Sequence, residues 1–183
     1  PKPGDVVFQT DFEDAAARDA WSRNPVAQWQ TVEGRGQCLQ VTVPAEQATA
    51  GNMIGLKLDV ARFRGCRLLF ECLAKAQDVT KPPASYLGVK FMCHYVSPAA
   101  GQFWRNQDNV FGTFDWKKLQ FVVALPDDVT ALDLSLGLQS CAGTVWFDDL
   151  QITVLKPPPP PRPQPPANPG PVYKGHNLPR LRG

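Results

Sequence analysis

Leu132–Gln139 reads LDLSLGLQ. Its four leucines alternate with Asp133, Ser135, Gly137 and Gln139. A period of two puts the leucines on one face of an extended chain and the polar residues on the other, the pattern of a strand with one buried side. The same period continues outward. Leu68–Lys75 (LLFECLAK) sets Phe70, Cys72 and Ala74 against Glu71 and Lys75. Tyr86–Val96 sets Leu87, Val89, Phe91, Cys93 and Tyr95 against Gly88, Lys90, Met92 and His94. Leu119–Leu125 alternates in the same way, Thr144–Leu155 (TVWFDDLQITVL) predicts a last long strand, and Val6–Asp11, Cys38–Val43 and Ile54–Val60 predict shorter ones. Only Glu13–Ala20 reads as a helix, of about two turns. Clusters such as Pro82-Pro83, Ser97-Pro98 and Pro126-Asp127-Asp128 punctuate the strands. Eight or so antiparallel strands with one short helix predict an all-β fold, a two-sheet antiparallel β-sandwich with jelly-roll topology, over residues 1–156. Roughly 150 residues in two layers bury a full core without a metal or a disulfide.

A chain with 43% hydrophobic and 20% charged residues has the composition of a globular protein, which excludes a collagen-like fibre, a coiled coil and wholesale disorder. No apolar run approaches the roughly 20 residues of a membrane helix. The opening Pro1–Asp5 lacks the apolar core of a signal peptide, so in a secreted protein that segment has already been removed. The net charge of +2 divides unevenly: residues 1–156 carry 15 Lys/Arg and 17 Asp/Glu, and residues 157–183 carry four basic groups and no acid. The body is mildly acidic and has no basic stripe for phosphates, which argues against nucleic-acid binding. The five cysteines, Cys38, Cys66, Cys72, Cys93 and Cys141, fit neither zinc-site nor C-x-x-C spacing. Cys72 and Cys93 fall in step with apolar neighbours and read as small core residues, with one disulfide elsewhere left open.

Residues 157–171 (PPPPPRPQPPANPGP) hold ten prolines in fifteen positions. Such a stretch has few backbone donors and nothing to bury, so it predicts a polyproline-like spacer of roughly 45 Å. Residues 172–183 (VYKGHNLPRLRG) regain mixed apolar and polar character, as at the entry to a second domain that the sequence cuts short.

The body offers little to catalysis. It has one histidine, His94, and no Gly-x-Ser-x-Gly, His-Glu-x-x-His or phosphate-loop motif. Acids do gather at its two ends, Asp11 and Glu13 in Thr10-Asp11-Phe12-Glu13 and Asp148 and Asp149 in Trp146-Phe147-Asp148-Asp149. If the first and last strands are neighbours, these carboxylates meet and need a cation. Calcium takes six to eight oxygens and suits them; the alternatives are an arginine partner or a solvated edge.

The opening VFQTDFED, the middle FGTFDWKKLQFVVALP (residues 111–126) and the close GTVWFDDLQITVL (residues 143–155), in that order, resemble carbohydrate-binding modules of the jelly-roll superfamily that holds families 4, 16 and 22. The resemblance spans most of residues 5–155. It implies a structural calcium held by Glu13 and Asp149, with Asp11 and Asp148 next, and with backbone carbonyls around Val32–Arg35. The tail NLPRLRG (residues 177–183) resembles the entry to family 5 glycoside hydrolases, which implies a secreted bacterial enzyme with this module at its N-terminal side.

A pyranose presents an apolar C–H face and a rim of hydroxyls, so a sugar site needs an exposed aromatic ring and in-plane hydrogen-bonding groups. In modules of this type the groove is a concave sheet face, here expected to carry Glu71, Lys90, Met92, His94 and Gln139. Trp104, in Gln102-Phe103-Trp104-Arg105-Asn106, is the platform candidate, with Tyr86 and Arg105 second. Trp116 and Trp146 sit in apolar contexts and read as core, Trp21 and Trp29 as covers of the sandwich edge, and Tyr95 as core-facing. Glu71 and Lys90 have a plainer reading as a cross-strand ion pair. The function expected is a non-catalytic module that binds plant-wall β-glucan, cellulose or a related hemicellulose for a linked hydrolase. The alternative is an accessory sandwich that supports that hydrolase without touching sugar.

Overall fold

The computed structural model describes residues 1–49 and 51–160. The segment 172–183, with His176, and all but the first four residues of the proline-rich segment 157–171 lie outside the described residues.

Ten strands and one short helix follow in chain order: β1 (Val6–Thr10), α1 (Ala15–Asp19), β2 (Ala27–Val32), β3 (Gly36–Val43), β4 (Gly51–Lys57), β5 (Arg67–Val79), β6 (Gly88–Ser97), β7 (Gly101–Asn106), β8 (Gly112–Ala124), β9 (Ala131–Gln139) and β10 (Gly143–Lys156). A six-stranded sheet runs β2-β3-β10-β5-β8, with β1 also on β10, and a four-stranded sheet runs β4-β9-β6-β7. Every pairing is antiparallel. This is the two-sheet sandwich that the alternation predicts. The leucines of LDLSLGLQ are buried completely and face Phe70, Phe147 and Ile152 of the other sheet's inner side. Phe121 sits between the layers, stacked 4.9 Å from Phe70 and tilted 5.0 Å from Phe91.

β10 organises the larger sheet. One edge pairs with β5, and the other pairs first with β3 through Phe147 and then with β1 from Leu150. The register shifts between Asp148 and Gln151, and Asp149 takes φ +48. A bulge of this kind lets one strand change partners without breaking its alternation. The first and last strands are therefore neighbours.

Three expectations need correction. Trp116 and Trp146 are not core: they are half-buried, and Trp146 pairs with Gln40 and Lys75 on the outer side of the six-stranded sheet. The alternation explains this, because Val145 and Phe147 take the inward positions. Glu71 and Lys90 stand in different sheets, so they form no cross-strand pair; Glu71 accepts from Lys118 Nζ at 2.7 Å instead. The helix covers only Ala15–Asp19, started by Asp14 Oδ1, which accepts from the Ala16 amide. Trp21 and Trp29 do cover the edge, packing on Phe12 at 6.1 and 5.1 Å.

All five cysteines are buried and unpaired. Burial pushes the Cys38 and Cys93 thiols up to about 12 and raises the others, so all are protonated at neutral pH and shielded. Alkylation followed by mass spectrometry should label none in the folded protein and all five after denaturation; labelling in the native state would contradict this packing.

The turn between β6 and β7 is tied to Asp128, which accepts from Ser97 Oγ at 2.7 Å and from the Ala99 amide at 2.9 Å. The Ser97 hydroxyl first, then the Ala99 N–H, hold this carboxyl below its ordinary 3.8. A depressed carboxyl adds stability above its unfolded value and loses it as pH falls through the folded one. Asp128→Ala should therefore melt below the parent at neutral pH, and the gap should close well below pH 3.8; a pH-independent gap would exclude the linkage.

Among the described residues, no helix is long and apolar enough to cross a membrane.

Candidate functional site

The outer side of the four-stranded sheet carries the site. Register fixes its rows. One row runs Lys57, Asp133, His94, Trp104; the next runs Gly55, Ser135, Met92, Asn106. A third runs Met53, Gly137, Lys90, and a fourth joins Gly51, Gln139 and Gly88. The centre of this face is lined by Gly55, Ser135 and Gly137, residues with little or no side chain. Gly137 admits no substitution, because an added Cβ would lie 2.1 Å from the Asn52 carbonyl oxygen. Larger side chains rise on both sides of this low centre. On the β4 side, Ser22 caps the edge: its amide donates to Gly55 O, and its Oγ accepts from the Gly55 amide, both at 2.8 Å. A cleft of about 570 Å³ opens there, lined by Trp21, Ser22, Gly55, Lys57, Asp133 and Ser135.

On the opposite side stand Trp104 and Tyr86, the only exposed aromatic side chains among the described residues, at 55% and 59% exposure. The Trp104 ring stacks on His94, centroids 4.9 Å apart. His94 is held in turn by Gln102 Oε1, 3.1 Å from Nε2, and by Asp133 Oδ2, 3.5 Å from Nδ1. The imidazole thus supports one face of the indole, and the solvent side stays open to an apolar sugar face. Tyr86 lies on the loop before β6. Its carbonyl accepts from Lys90 Nζ and, at 3.4 Å, from Asn106 Nδ2, so this loop is fastened to the same rows.

The sequence-selected residues divide. Trp104, His94 and, further along the face, Gln139 share this sheet, and Tyr86 borders it on the loop before β6. Lys90 shares it too but is only 2% exposed, its ammonium spent on Tyr86 O and Asn106 Oδ1. Burial lowers its pKa, opposed by Asp108. Lys90 therefore positions the Tyr86 loop and does not face solvent. Arg105 lies on the reverse side of β7, 5.4 Å from the Phe103 ring, which itself stacks on inward Tyr95. Glu71 belongs to the other sheet altogether. Asp133, Ser135, Asn106 and Gln102 were not singled out from the sequence. The signal for Asp133 and Ser135 was present in LDLSLGLQ, but the register that sets them beside His94 and Met92 was not.

Of the acids at the two ends, Asp148 and Asp149 share a guanidinium, whereas Asp11 and Glu13 accept from backbone amides. Arg35 Nε lies 2.8 Å from Asp148 Oδ2 and its Nη2 2.5 Å from Asp149 Oδ2. The same guanidinium sits 4.9 Å over the Trp116 ring. Glu13 Oε1 accepts from the Gln37 amide at 2.6 Å. Gly36 takes φ +87, which strains any other residue, and a Cβ there would displace that Glu13 oxygen. Asp11 Oδ1 accepts from the Glu13 amide, and the Phe12 and Glu13 carbonyls accept from Arg18. Among the described residues no group of three or more acidic, histidine or cysteine side chains is gathered as for a metal. Burial raises the Asp148 carboxyl above its ordinary range, against the opposing pull of Arg35.

No family model and no curated protein matches the chain. Solved structures do. The CBM22-1 xylan-binding domain from Paenibacillus barcinonensis Xyn10C superposes with a TM-score of 0.62 at 16% identity, covering 86% of this chain and 99% of that one. A xylan-binding domain of CBM family 22 gives 0.60 at 18% identity, covering 85% and 97%. The CBM22-1–GH10 modules of Clostridium thermocellum endo-1,4-β-D-xylanase 10B, complexed with xylohexaose, give 0.58 at 14%, covering 84% and 29%. The chain therefore has the β-sandwich fold of the jelly-roll carbohydrate-binding modules.

Proposed function

We propose that this chain is a non-catalytic module that binds a plant-wall polysaccharide on the outer face of its four-stranded sheet. One observation carries the reading: the two exposed aromatic rings of the described residues flank the same polar face, next to a glycine- and serine-lined centre. Trp104 takes the apolar face of one pyranose. Asp133, Gln102, Asn106 and Ser135 are placed to exchange hydrogen bonds with hydroxyls at the ring's rim. Tyr86 offers a second ring on the same side. The open, shallow form of the face suits internal stretches of a chain.

Xylan is the first ligand to try, since two of the similar structures are named as xylan-binding domains. β-Glucan, xyloglucan and mannan complete the panel. We assign the module a secreted bacterial glycoside hydrolase as its covalent partner, to which it supplies proximity to an insoluble substrate. Affinity electrophoresis tests the reading: retardation by one of the four supports it, and free migration through all of them contradicts it.

At the clasp, the calcium implied by the resemblance competes with Arg35 for Asp148 and Asp149. Melting in EDTA and then in excess calcium separates the two cations. A ligand that binds only the folded state raises the melting temperature, so a rise on adding calcium that Glu13→Gln and Asp149→Asn remove supports a metal at those residues. An unchanged curve leaves Arg35 as the counter-charge.

A further inference from the structure

We propose a second glycan-contacting surface, on the outer face of the six-stranded sheet and centred on Trp146. It rests on the glycan-binding reading above but uses the opposite side of the sandwich. The indole lies in a row that runs Gln28, Gln40, Trp146, Lys75 across β2, β3, β10 and β5. The neighbouring row joins Thr42, Thr144 and Gln77, with the two threonine hydroxyls 3.1 Å apart. At the β2–β3 end a cleft of about 480 Å³ is lined by Gln28, Gln40 and Thr42, with Pro25, Pro44 and Gln47 at its rim.

The chemistry of this face selects its occupant. The two rows carry one charge, Lys75, whose Nζ lies 4.0 Å from Asp115; elsewhere on the face Lys118 pairs with Glu71 at 2.7 Å, and Arg35 is shared by Asp148 and Asp149. Carboxamides, hydroxyls and an indole remain. Carboxamides donate and accept in one plane, as a sugar's equatorial hydroxyls require, and the indole supplies the apolar contact. A neutral polysaccharide matches that set; a phosphorylated or strongly charged partner does not. Trp116 is excluded as the contact because Arg35 covers its ring. Lys75 Nζ reaches the Trp146 ring only at 5.9 Å, and its side chain is 43% exposed. It can swing aside without leaving a buried charge unpaired. Two faces on opposite sides of one sandwich would let a single module bridge two polysaccharide chains.

The test follows the indole N–H signals of the protein by NMR, in the parent and in Trp104→Ala, while adding xylohexaose and then soluble β-glucan oligosaccharide. The expected result is a saturable shift of the Trp146 signal in both proteins. Gln40→Ala, which leaves the indole in place, should weaken that shift several-fold. Trp104→Ala combined with Trp146→Ala should remove all residual retardation in affinity gels. If the parent binds a sugar and the Trp146 signal stays fixed, the second surface is wrong and the Trp104 reading stands. If the parent binds none of the sugars, both fail. A concentration-dependent dimer that Trp146→Ala abolishes would give this face to a second copy of the chain and overturn the proposal.

Discussion

Trp104→Ala is expected to weaken polysaccharide binding on the four-stranded sheet by about thirty-fold, read as a large loss of retardation in an affinity gel. The estimate rests on the loss of about 2 kcal/mol when a central aromatic contact is truncated. The fold should survive. The ring is 55% exposed, and its one aromatic contact is His94. Surface changes of this kind move stability by less than about 1 kcal/mol. Trp104→Phe should recover part of the affinity, since a smaller ring still offers a face. His94→Ala should be intermediate, because His94 touches the back of the indole and holds it through Gln102 and Asp133. Unaltered affinity in Trp104→Ala would remove this face from the account.

Arg35→Ala should lower stability by about 3 kcal/mol, the lower end of the range for breaking a buried ion pair. For a domain of this size that corresponds to a fall of about 6–12 °C in melting temperature. The cost does not come from a lost surface contact, which would be worth far less. It comes from leaving the Asp148 carboxylate, 2% exposed, beside Asp149 with no counter-charge. The sign of the pH dependence follows. The Asp148 carboxyl is already raised by burial, and without Arg35 it rises further. Protonation then relieves the folded variant, so its deficit should be largest at neutral pH and narrow as acid is added. Adding Asp148→Asn to Arg35→Ala should restore part of the loss. An Arg35→Ala protein that melts with the parent would show that the Asp148 carboxylate does not depend on this guanidinium.

The fold was legible because its strongest strands each bury one side. LDLSLGLQ, YLGVKFMCHYV and LLFECLAK keep strict alternation, and the structure buries their apolar sets except Leu87, which is half-buried just before β6. β2 and β7 were not legible. Both are edge strands, and AQWQTV and GQFWRN carry too few apolar positions to show a period. Trp104 was found as an exposed ring in a polar stretch, yet its strand was not. Trp146 was misread because a residue between Val145 and Phe147 looks apolar by neighbourhood, although alternation turns it outward. Glu71 and Arg105 were misplaced for a related reason. Alternation tells which residues leave the core, but only sheet membership and register tell which of them meet. Arg35 illustrates the same limit. An arginine partner for Asp148 or Asp149 was one of the alternatives, but which arginine depends on a contact over 113 residues of sequence, from the β2–β3 turn to β10.

Hydroxyl-radical footprinting with peptide mass spectrometry tests the central assignment most directly. Free protein should be oxidised at Trp104 far more than at buried Trp21. Saturation with a polysaccharide that the protein binds should protect Trp104 and leave the reactivity of Trp21 as it was. Equal oxidation of Trp104 with and without that polysaccharide would show that the sugar sits elsewhere.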